Sequence, residues 1–129
     1  MKQRTKEKKE VGVVPDDVLR MTAENFEETA VQSPVPVLVE FGAPWCVDCR
    51  RLDAAVNALA VRYRGIVRFG RVDVEQEPKL AVLLGAGGLP SVLLMERGRI
   101  YAHVGGALPL AHYERLLDRL LSGKPVSAG

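Results

Sequence analysis

Cys46 and Cys49 are the chain's two cysteines, three residues apart in "FGAPWCVDCRRL" beside its one tryptophan, Trp45. Thiols at this spacing suit reversible dithiol exchange, half of a zinc site, or a static disulfide; two buried structural thiols would also satisfy the pattern. The apolar pattern from Val47 to about Tyr63 is helical: Leu52, Val56, Leu59, Ala60 and Tyr63 recur on one side, with Arg50, Arg51, Asp53, Asn57 and Arg62 facing elsewhere. Cys46 then starts the helix and Cys49 lies one turn inside. Unpaired N–H groups and the helix dipole at that end stabilise a thiolate, so Cys46 is the expected attacking sulfur. Cys49 shares its face and can close a small ring with it. Zinc would need two further ligands, and the only histidines, His103 and His112, fall far along the chain. Helix placement and Trp45 favour exchange.

The elements that must position this pair are legible in outline. "VLRMT" (Val18 to Thr22) reads as a short strand, and "AENFEETAV" as a helix with Thr22 as cap and Glu24 in its first turn. After Pro34 and Pro36, the run Val37-Leu38-Val39-Glu40-Phe41 reads as a strand buried on both faces. Ile66 to Val74 alternates as a strand does; a short helix opens at Pro78 and closes at glycines. Val92 to Met95 and Ile100 to Val104 form a hairpin across Glu96-Arg97-Gly98-Arg99. Leu110, Tyr113, Leu116, Leu117 and Leu120 stripe a last helix that Gly123 stops. The order β-α-β-α-β-α-β-β-α implies an α/β fold with a mixed central sheet and helices on both faces.

The 129 residues suit one domain, and 47% apolar content suffices for one core. Residues 1–10 ("MKQRTKEKKE") form a basic run, read as a solvated tail, with a contact arm for anionic surfaces as the alternative; residues 11–123 make the domain and 124–129 a second tail. A net charge of +2 argues against nucleic acid as main partner. No apolar run approaches the ~18 residues of a membrane span, and the start lacks a secretory pattern, so a cytoplasmic, soluble protein without membrane contact is expected.

"VLVEFGAPWCVDCRRL" resembles the active-site segment of the thioredoxin family, and "RVDVEQEPKLAVLLGAGGLPSVLLMERGRIYAHVGGALP" resembles its second half, with a Gly-X-Pro loop before the hairpin. The resemblance covers roughly Val18 to Leu121. It implies a thioredoxin-like fold with four or five strands, and a thiol–disulfide oxidoreductase that reduces protein substrates. Cys46 resembles the nucleophile and Cys49 the resolving thiol. Pro90 resembles the cis-proline facing the pair, although an ordinary turn proline would fit the sequence equally. With Leu89 and Ser91 it would guide a substrate strand by backbone pairing. Glu40 falls where the family keeps a buried acid, more often Asp; apolar flanks would raise its pKa and make it a proton acceptor for Cys49, unless it faces solvent at the strand end. Arg71 falls where the family often carries Lys; it supplies charge but does not shuttle protons. Trp45 would shield the pair and offer a flat apolar contact, with simple packing as the alternative.

Two departures stand out. Gly42 replaces a frequent aromatic, and Val47-Asp48 replaces Gly-Pro. Asp48, directly before Cys49, would oppose thiolate formation and lower the potential, or else act only as an inert helix-start residue. No bound cofactor or metal is implied. The reading is a monomer served by an external reductase; the alternatives are a binding or adaptor module without turnover and a partner-specific redox protein.

Overall fold

The structure is a computed structural model that describes residues 17–123. The two tails read at 1–10 and 124–129 lie outside the described residues. Five strands form one mixed sheet in the order β1-β3-β2-β4-β5, with β1 Val18–Arg20, β2 Val37–Gly42, β3 Arg68–Asp73, β4 Ser91–Glu96 and β5 Arg99–Gly105. β1, β3 and β2 run parallel; β4 and β5 are antiparallel. Helix α1 (Val47–Arg62) crosses from β2 to β3, α2 (Pro78–Leu83) leads towards β4, and α3 (Leu110–Leu121) follows β5. The element order and fold class match the expectation from sequence.

β2 sits at the centre, with all six residues buried. Its side chains alternate between faces. Val37, Val39 and Phe41 join Met21, Phe26, Ala30, Val72, Leu80, Leu93 and Met95 on one face. Leu38 joins Leu52, Val56, Leu59, Phe69, Leu94, Tyr113 and Leu117 on the other, beneath α1 and α3. Each fully buried Leu there contributes ~1.5–3 kcal/mol. Alternation puts Glu40 on the Leu38 face, towards α1. This is the fact from which the site is built.

Several boundaries differ from the sequence reading. β1 ends at Arg20 and β3 starts at Arg68, because Tyr63 to Val67 is a turn in which Val67 N–H donates to Tyr63 O and leaves Ile66 half exposed. The helix read at Ala23 to Val31 is instead a run of turns ending in a π-helical segment, Glu27–Val31, whose first turn holds Glu27 and Glu28 rather than Glu24. Thr22 does cap that entry: Thr22 Oγ1 accepts from Asn25 N–H (3.2 Å) and Asn25 Oδ1 accepts from Thr22 N–H (2.9 Å), a reciprocal box. The hairpin turn has Arg97 and Gly98 both at positive φ (53° and 76°), the geometry that follows the right-handed strand twist. α3 packs through Tyr113, Leu117 and Leu120, but Leu110 at its start is exposed and does not belong to the stripe.

Candidate functional site

β2 ends at Gly42, a four-residue loop follows, and α1 opens at Val47 with Cys46 as its N-cap. Cys46 and Cys49 form a disulfide with Cα atoms 5.2 Å apart, both residues buried. The Cys49 N–H donates to Cys46 Sγ at 3.2 Å. A first-turn amide that α1 itself cannot satisfy therefore points at the sulfur read as nucleophile, and in the reduced state it stands ready to hold a thiolate. Among the described residues no group of three or more His, Cys, Asp or Glu is placed to hold a metal ion.

Glu40 is completely buried, so the solvent-facing alternative fails. In the ladders it is in register with Arg71 on β3 and Val92 on β4. Neighbours in register share a face, and Arg71 Nε donates to Glu40 Oε1 at 2.8 Å. Burial is the main cause that pushes the Glu40 carboxyl up to about 8; the nearby Asp53 carboxyl adds to it, and Arg71 opposes. Arg71 also reaches α1: its Nε lies 3.3 Å from Asp53 Oδ1 and its Nη2 donates to Asn57 Oδ1 at 3.2 Å.

Asp53 and Asn57 correct the sequence reading. The helical period has them facing away from the core stripe, but with Cys49 they form a second stripe at positions i, i+4 and i+8, lying over Glu40 and Arg71. The interval of four from Cys49 is the signal that would have found them. The cluster opens into a cleft of about 160 Å³ whose lining includes Gly42, Cys49, Asp53, Arg71 and Asp73. A Cβ on Gly42 would sit 3.3 Å from Cys49 Sγ. Gly42 thus leaves the Cys49 sulfur open to the cleft where a larger residue would press on it.

The remaining site residues lie on three segments. Trp45 is 63% exposed, and its ring N–H donates to the Glu75 carboxylate. Its ring is turned to solvent rather than packed inward. Leu89–Pro90 is a cis peptide bond, as the resemblance implied. Pro90 O accepts from Gly106 N–H at 2.8 Å, and Ser91 is buried in β4, in register with Phe41 and Gly105. Leu89 and Pro90 precede β4; Pro90 is buried and Leu89 is half buried. Asp48 is exposed in the first turn of α1, yet it is not a lone charge: Arg51, one turn on, lies 3.7 Å away.

A disulfide-forming cysteine pair at a helix N-terminus, following a central strand that holds a buried acid, with a cis-proline at the start of the neighbouring strand of a five-stranded mixed sheet, fits a thiol–disulfide exchange domain. The family model for Thioredoxin matches residues 17–119. The chain is 31% identical over 103 residues to thioredoxin of Haemophilus influenzae, covering 80% of this chain and 96% of that one. It is 29% identical over 105 residues to thioredoxin of Porphyra purpurea (81% and 98%). It is 32% identical over 109 residues to thioredoxin M5, chloroplastic, of Oryza sativa subsp. japonica (84% and 63%), and so spans less than two thirds of that protein's length. The chain belongs to the thioredoxin family, and its activity is that of a thiol–disulfide oxidoreductase.

Proposed function

We propose that this protein reduces disulfides in protein substrates, in the cytoplasm, as a monomer recharged by an external reductase. The observation that carries the reading is the Cys49 N–H directed at Cys46 Sγ, which supports Cys46 as the attacking sulfur. The Cys46 thiolate attacks a substrate sulfur and forms a mixed disulfide, releasing the first substrate thiolate. Cys49 then gives its proton to Glu40 and attacks Cys46 Sγ. The Cys46–Cys49 bond forms, the mixed disulfide breaks, and the substrate leaves with both sulfurs reduced. Two electrons pass from the pair to the substrate, and the reductase returns them.

Glu40 is suited to its part because its carboxyl sits near 8, within reach of a thiol's titration range. Trp45 supplies a flat apolar contact, and Leu89, at the edge of the cis-proline loop, offers backbone to an extended substrate segment. Neither role requires nucleic acid or a membrane, and none of the helices described is long and apolar enough to cross a membrane.

Insulin reduction with dithiothreitol as reductant tests the reading. The wild type accelerates precipitation, Cys46→Ser abolishes the effect, and Cys49→Ser accumulates a mixed disulfide that mass spectrometry detects. A wild type without acceleration would leave only a binding module. A Cys49→Ser variant that turns over while Cys46→Ser traps substrate would reverse the assignment.

A further inference from the structure

Buried Glu40 must exchange its proton with something. Among the described residues its Oε2 atom has no hydrogen-bond partner, and its Oε1 atom meets Arg71 Nε. A guanidinium keeps its proton at any working pH, so Arg71 cannot pass one on, as an amine in its place would. Yet the same Arg71 Nε that binds Glu40 at 2.8 Å lies 3.3 Å from Asp53 Oδ1. One N–H group therefore stands between two carboxyls. These two differ in surroundings: Glu40 is sealed in the core, whereas the Asp53 side chain is 40% exposed and lines the cleft shared with Cys49.

We propose that Glu40 and Asp53 act as one coupled carboxyl pair across Arg71, in which Asp53, the solvent end, sets the pH at which Glu40 accepts the proton of Cys49. Asp53 acts through Glu40 and is a positioning residue. The inference rests on the proton-acceptor role given to Glu40 above. Like charges facing one another across a single N–H oppose each other, so the Asp53 carboxyl holds Glu40 protonated to higher pH than burial alone would. Before resolution Glu40 has released its proton to solvent. During resolution the Cys49 Sγ–H proton passes to the Glu40 carboxylate, the Cys49 thiolate displaces the substrate thiolate from Cys46 Sγ, and no other co-reactant is needed.

The groups that bear on Glu40 come from several elements. Arg71 on β3 favours its ionised form; Asp53 on α1 opposes it; Val92 on β4 adds only apolar surface. Tyr113 on α3 feels the Glu40 charge, which raises its hydroxyl after burial does so, and Asp73 lines the far side of the cleft. Asn57 on α1 binds Arg71 and carries no charge. Asp53 is thus the neighbour that raises Glu40 beyond burial itself.

The test uses Asp53→Asn and Asp53→Glu in the full chain. The Glu40 carboxyl is followed by carbon-13 NMR, and resolution of a preformed Cys46 mixed disulfide by stopped flow against pH. In Asp53→Asn the Glu40 midpoint and the acid limb of resolution both fall, by about one pH unit, roughly tenfold in the ratio of ionised to protonated Glu40. Asp53→Glu retains the wild-type midpoint and limb. A midpoint and limb unmoved in Asp53→Asn, or an Asp53→Glu variant that behaves like Asp53→Asn, overturns the pair. Glu40→Gln separates the two levels. If it resolves at the wild-type rate, the acceptor role fails; if it is slow while Asp53→Asn moves nothing, the coupling alone fails.

Discussion

Replacing Glu40 by Gln keeps the side chain's shape and removes its ionisation, which turns burial into a measurable stability term. Burial raises the Glu40 carboxyl from 4.5 to about 8, even with Arg71 beside it. A carboxyl held protonated by the fold stabilises it fully below pH 4.5 and loses that contribution as the pH climbs through 8. One pH unit of difference is worth ~1.4 kcal/mol, so the loss reaches about 3 kcal/mol at pH 7 and about 5 kcal/mol above pH 8. The Gln variant has no such term. Oxidised wild type and Glu40→Gln should therefore match within about 1 kcal/mol at pH 4, where both groups are neutral. They should diverge steadily to pH 9, with the variant the more stable. Guanidinium chloride unfolding at pH 4, 5, 7 and 9 measures this, and contributions from titrating groups that do not interact with Glu40 cancel in the difference. Parallel stability curves would refute the reasoning, because they would mean that Glu40 ionises in the fold as readily as in the unfolded chain. The same variant should resolve mixed disulfides slowly, so stability and function move in opposite directions.

Removing the Asp48 charge (Asp48→Asn) should raise the redox potential against glutathione by less than ~30 mV, since Arg51 already offsets an exposed carboxylate; a fall, or a shift that survives high salt, would refute that account. Gly70→Ala should cost about 1–3 kcal/mol in denaturant unfolding, because the new Cβ would lie 2.3 Å from the buried Met21 side chain, and the cost should shrink in a Met21→Ala background.

The chemistry of the pair was legible in the sequence because it is local. Cys46 and Cys49 sit at a helix start, and the apolar period from Leu52 to Tyr63 and the loop at Trp45 fix that start within a residue. The central strand was equally plain, since Val37 to Phe41 leaves no polar face, and its parity alone puts Glu40 opposite Val39 and Phe41. What the sequence left open depends on register and rotation between elements. Glu40 meets Arg71 because β2 and β3 pair with that residue opposite that residue, and a slip of one position would turn Arg71 to the other face. Asp53 and Asn57 have the composition of a solvated helix side. Only the angle at which α1 crosses the sheet brings their stripe, rather than water, over the buried acid. Asp48 likewise read as a lone charge until the helix placed Arg51 beside it. Local pattern names the sulfur chemistry; the long-range pairing of β2, β3 and α1 decides where its proton goes, because a charge buried between elements answers to neighbours distant in the chain.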